Sequence, residues 1–143
     1  MNIGIVSKLS ELADHSTTPI KESSAALLCS LFNSSNALFR EIVLLKKYNF
    51  MQSLLILFQI ASDTVKMRII GYYTLFCLLE MDDFIIPSVF LSEDFIRIIT
   101  QDFNVNHFEM NVAIGKYICK LILCKYPDLS KDYIEMVRII SFF

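Results

Sequence analysis

Apolar residues return along this chain with helical spacing, in two interleaved versions. In the first, Leu91, Phe95, Ile98 and Ile99 fall at i, i+4, i+7 and i+8, which puts them on one stripe of a helix. Phe50, Leu54, Leu57 and Phe58 share that spacing, as do Leu129, Tyr133, Met136 and Val137, with a weaker version at Ile5, Leu9, Leu12 and Ala13. These are type B helices. Type A lies between them: Ser24, Leu28, Leu31 and Phe32, then Gly71, Leu75, Leu78 and Leu79, then Ile114, Ile118, Leu121 and Ile122. The leading A position is small in two of the three, which lets a neighbouring helix approach closely. By this phase Leu75 and Leu78 are core, whereas Leu27 and Met110 lie off the stripe.

The order along the chain is B-A-B-A-B-A-B. One stretch is nearly duplicated: LSEDFIRII at 91–99 returns as LSKDYIEMV at 129–137, 38 residues later. Successive A helices begin at 24, 71 and 114, spacings of 47 and 43 residues, the range of two- and three-helix solenoid repeats. Boundary residues agree. Thr18 followed by Pro19 resembles a cap with proline at the first helical position. Ser62 or Asp63, Ser92, Asn106 with Glu109 three later, and Asp128 are candidate N-caps. A shorter third helix is expected in NALFREIVLLKK (36–47). The matching DDFIIPSVF carries Pro87 and has room for one turn at most. No segment reads as a strand bounded by hairpin turns.

KESSAALLCSLF and VKMRIIGYYTLFCLL resemble the third helix of armadillo repeats: a polar start, a small residue, then leucines at +4 and +7. Over most of residues 18–143 the chain is similar to an armadillo or HEAT-type α-solenoid of about three repeats. The resemblance implies an all-α, right-handed α-solenoid forming a single domain over 1–143. Its repeats would run over about 18–62, 63–103 and 104–143, after an N-terminal half-repeat helix at 1–17. It also implies a concave groove lined by the A helices, which takes a peptide or helix of a partner protein.

In this phase the groove ladder falls at +2 and +6 of each A helix: Ala26 and Ser30, then Tyr73 and Cys77, then Lys116 and Lys120. The expected partner-binding residues are Tyr73, Cys77, Lys116 and Lys120. Nuclear-import adaptors of the armadillo family carry Trp at the first rung and Asn at the second. This chain has no Trp and has Ser, Cys and Lys at the second rungs, so nuclear-signal binding does not carry over. A groove running from small to aromatic to basic favours an acidic or mixed segment. Lys116 and Lys120 read equally as a solvated face bearing an unfavourable like-charge i, i+4 pair.

Composition narrows the alternatives. Apolar residues make up 55% and mean hydropathy is +0.51, so a membrane span has to be tested. The longest charge-free run, Ser23 to Phe39, holds Asn33, Asn36 and five serines, whereas a span needs about 20 predominantly apolar residues. Lys8, Glu11 and Asp14 interrupt the N-terminus too early for a signal-peptide core, so the expected location is cytoplasmic. A net charge of −2 gives no basic field for nucleic acid. Cys29, Cys77, Cys119 and Cys124 all lie in apolar helical patterns and read as small buried hydrophobes. Cys119 and Cys124 lack the spacing of a zinc pair. His15 and His107 have no dyad partner nearby, glycine-rich phosphate loops are absent, and Asp82-Asp83 reads as a solvated helix end.

The expectation is therefore a non-enzymatic interaction module, a scaffold or adaptor, with no cofactor and no metal. The apolar ends, Ile3, Ile5 and Val6 at one and VRIISFF at the other, are poorly suited to cap a solenoid. Either they are buried locally, or the array continues in another chain or in a longer one. An alternative is a small α-helical adaptor that homodimerises through its C-terminal helix.

Overall fold

In a computed structural model, residues 3–15, 17–44, 50–59, 64–81, 84–103 and 106–124 are described. Every regular element among them is helical: α1 (Ile3–His15), α2 (Thr18–Asn33), α3 (Ala37–Val43), α4 (Phe50–Gln59), α5 (Thr64–Leu79), a 3-10 turn (Ser88–Leu91), α6 (Glu93–Asp102) and α7 (Phe108–Leu123). The second copy of the duplicated stretch, 129–137, lies outside the described residues, as do the candidate caps Ser62, Asp63 and Asp128 and the pair Asp82-Asp83. No helix among the described residues is long and apolar enough to cross a membrane. The chain divides into two compact units, Met1–Thr74 and Leu75–Phe143, with the boundary inside α5.

In the first unit α1, α2 and α4 pack on one another and α3 packs on α2. The type B stripe of α4 is fully realised, since Phe50, Leu54, Leu57 and Phe58 are all buried. In α2 the buried set is Ser24, Ala25, Ala26, Leu28, Cys29 and Phe32, and Phe32 meets Phe50 with ring centroids 4.6 Å apart. The phase of α1 differs by one residue: Ile5 is exposed and Val6 is buried in its place. Two adjacent β-branched residues are equally apolar, so only packing decides which turns inward.

Side chains hold the end of α2 and the start of α3, but not the start of α2. Thr17, not Thr18, is the N-cap of α2, and Pro19 is the second helical residue. The shift is free, because the first-turn N–H groups have no intrahelical partner to lose. The Asn36 side chain accepts the Phe39 amide at 2.9 Å and starts α3. Arg40 then reaches back to the end of α2, its Nε donating to the Phe32 carbonyl (3.1 Å) and an Nη to the Asn33 carbonyl (2.9 Å). Its guanidinium carbon lies 5.4 Å from the centre of the Phe32 ring. A fixed cation thus adds donors to the last carbonyls of α2, at the negative end of the helix dipole.

Gly71 occupies the small A position of α5, where α4 crosses. A Cβ there would lie 2.7 Å from Phe58 Cζ and 2.9 Å from Cε2. The Phe58 ring is itself confined by an edge contact with Tyr72 at 5.3 Å and by Arg68 at 5.7 Å. A side chain at position 71 would therefore have to displace the Phe58 ring.

In the second unit Leu75 and Leu78 are fully buried. Pro87 leads into the 3-10 turn. Ser92 caps α6 as expected: its Oγ accepts from the Phe95 amide at 3.3 Å and donates to the Val89 carbonyl at 2.8 Å. Phe90, Phe95 and Tyr117 form an edge-on chain with centroids 5.1 and 6.3 Å apart, and the Tyr117 hydroxyl donates to the Phe90 carbonyl at 3.4 Å. At α7 the N-cap is His107 rather than Asn106. The buried stripe of α7 is Met110, Ala113, Ile114, Tyr117, Ile118 and Leu121. Met110 is core, at 2% exposure, and Ile122 is 43% exposed, both against the expected phase. The stripe runs one turn further towards the N-terminus and stops one residue earlier.

Candidate interaction surface on helix α7

The four expected groove residues meet different fates. Tyr73 is half-buried and belongs to the first unit. Cys77 is buried within the second unit, so it has little surface to present, and Ala26, the first rung on α2, is buried too. The cause is common: α2 and α5 are apolar well beyond their stripes, and such helices are enclosed on more than one side. Lys116 is exposed and Lys120 half-buried, one turn apart on α7.

Around these lysines α7 shows a second apolar face. Phe108, Val112, Gly115, Cys119 and Ile122 stand at i, i+4, i+7, i+11 and i+14, a stripe on the side opposite the buried one. Phe108 is 80% exposed and Leu123 74%. Cys119 is exposed, which corrects the expectation that it and Cys124 are buried hydrophobes. A Cβ placed on Gly115 would meet no atom within 4 Å. Along one flank of this stripe run Glu109, Lys116 and Lys120, and Asn111 lies on the other. The amino-acid order carries this signal, a second set of apolar residues at helical spacing. It is obscured because α7 is apolar nearly all round, so periodicity alone does not say which stripe faces inward.

Reactive side chains are otherwise engaged in structure. His107 Nδ1 accepts the Met110 amide at 3.2 Å, which commits that nitrogen to capping. The His15 side chain lies outside the described part of the molecule. Cys29 is fully buried. Its thiol is pushed up to about 12 by burial, opposed by a hydrogen bond with the Thr74 side chain, whose hydroxyl donates to the Ile70 carbonyl at 2.8 Å. Among the described residues no group of three His, Cys, Asp or Glu side chains gathers as a metal site. No family model, curated protein or solved structure matches the chain.

Proposed function

We propose that this protein is a non-enzymatic interaction module, a short armadillo/HEAT-like α-solenoid working in the cytoplasm, which docks a segment of a partner protein against its type A helices. The observation that carries this reading is the outward face of α7, where Phe108, Ile122 and Leu123 are exposed beside Lys116 and Lys120. Exposed apolar side chains clustered on one face and rimmed by charge mark interaction sites. Apolar area would supply affinity and the lysines would steer an acidic or mixed segment, adding on-rate more than final affinity. In the first unit, Tyr73 on α5 offers an aromatic ring with a hydroxyl for a partner backbone.

The test is capture of partners by the unaltered protein and by K116E/K120E, with identification by mass spectrometry at low and high salt. The expected outcome is loss of specific partners from the variant, larger at low salt where screening is weak, with an unchanged melting temperature. Full capture at unchanged stability would move the partner site off α7. A second reading, an adaptor of no repeat family, is supported by the same face and differs only in the partner's geometry.

A further inference from the structure

We infer that the outward face of α7 pairs with the same face of a second copy of this chain, antiparallel and about a twofold axis at Gly115. This rests on the reading of α7 as an interaction surface and names its partner. Two features support it. First, the apolar positions of the stripe are disposed symmetrically about Gly115. Gly115 lies at its centre with open space above it, and Phe108 and Ile122, seven residues to either side, stand proud of the surface. Turned end for end on Gly115, a second helix sets its Ile122 against Phe108 of the first, while the glycines allow the backbones to approach.

Second, the charges select the direction. In an antiparallel pair the twofold axis lies perpendicular to both helices, so the lysine-bearing flank of one copy meets the same flank of its partner, reversed. Glu109 is six residues before Gly115 and Lys120 five after it. Each copy's Glu109 therefore faces the other's Lys120, twice per dimer. A parallel pair would set this flank against the one bearing Asn111 and would leave both charges without opposites. Lys116, one residue past the axis, meets its own copy and opposes association, which its long stem relieves by splaying outward. A single helix face lies at the small, transient end of interface sizes, so the dimer forms only at high protein concentration.

The experiment is sedimentation equilibrium of the full chain over a wide concentration range, under reducing conditions. A monomer–dimer equilibrium is expected. E109K and K120E should each weaken it roughly three- to tenfold, because each sets like charges together at two places. An equimolar mixture of the two variants should restore it, since the lysine introduced at 109 meets the glutamate introduced at 120. G115L should weaken dimerisation at least tenfold without lowering the melting temperature of the dilute monomer, and K116A should tighten it. A monomer at every concentration overturns the inference. A dimer insensitive to the single reversals, or one the mixture fails to rescue, overturns the antiparallel pairing. The reading of α7 as the docking site fails separately, if K116E/K120E captures partners as the unaltered protein does.

Discussion

Helices α5 and α7 are both type A, both apolar around most of their circumference, and each contains a glycine, yet they stand in opposite surroundings. At Gly71 the ring of Phe58 lies where a Cβ would go, and at Gly115 there is nothing within 4 Å. Tyr72, Leu75, Cys77, Leu78 and Leu79 are all buried along α5, whereas α7 buries one stripe and leaves Phe108 and Leu123 in solvent. Apolar content thus does not distinguish a helix enclosed by its own chain from one enclosed on one side. What distinguishes them is whether the second face has a neighbour, and each of the following changes probes that difference.

The largest effects belong to the stripes that both helices bury. Leu75→Ala, Leu78→Ala and Met110→Ala should each cost roughly 2–5 kcal/mol by chemical denaturation, because all three side chains are at or near zero exposure. Leu27→Ala, at 51% exposure, should fall within about 0.5 kcal/mol of the unaltered protein. A Met110 loss as small as that of Leu27 would show that α7 buries a different stripe.

Next in size is the pair of glycines, where the sign should differ. Gly71→Leu should cost roughly 1–3 kcal/mol by overpacking against Phe58. Gly71→Ala sets the same clash, smaller, against a gain of about 1 kcal/mol in helix propensity. Gly115→Ala should keep that whole gain, because its Cβ meets nothing. Adding Phe58→Leu to Gly71→Ala removes the ring tip, so a double-mutant cycle should give a favourable coupling. Gly71→Ala as stabilising as Gly115→Ala would mean that the α4–α5 crossing opens freely.

Several of these positions are legible in the amino-acid order alone. The stripe of α4 is visible in spacing, because polar Gln52 and Gln59 fix its outward side. Ser92 is legible as a cap because a hydroxyl ahead of an acidic first turn has few other roles. Gly71 is legible as a crossing point from its place at the head of the stripe. Illegible positions share one cause, equally apolar candidates for the buried side: Ile5 beside Val6 on α1, and on α7 Met110, Cys119 and Ile122, where two apolar stripes compete. Cys77 fails as a groove residue for the same reason, since a helix apolar on all sides has no sequence mark for its outer face. Lys116 is legible because a charge needs solvent. Arg40 is not, because its role lies in carbonyls contributed by another helix, seven and eight residues earlier in the chain.

That clamp supplies the next prediction. Arg40→Ala removes two donors to the last carbonyls of α2 and the cation over Phe32, and should cost about 1–2 kcal/mol. Arg40→Lys should recover little of it, because an ammonium cannot reach two carbonyls with one planar fork. Denaturation midpoints of the three proteins decide the matter. Lysine equal to arginine would reduce the clamp to its charge, and alanine equal to both would show that α2 is held by its packing alone.

The smallest effect is invisible at neutral pH and contrasts the enclosed and open sides of the molecule through their thiols. Cys29 is buried and its thiol is held up at about 12, from an ordinary 9.0, by loss of solvent around the thiolate. The folded state therefore favours the protonated thiol. Its contribution is fully present below the unfolded value near 9 and is lost as pH rises from there towards 12, with stability falling by up to about 1.4 kcal/mol per pH unit. At pH 10 the loss relative to pH 8 should be about 1.4 kcal/mol, and Cys29→Ala should lack that component of the alkaline slope while paying a constant cost for its lost volume. Cys119 and Cys124 lie in solvent and should react with a thiol reagent at pH 8 in the folded protein, whereas Cys29 should react only as fast as the chain opens. Equal modification of Cys29 and Cys119 under native conditions would show that α2 and α5 separate readily, and the enclosed side of the comparison would be lost.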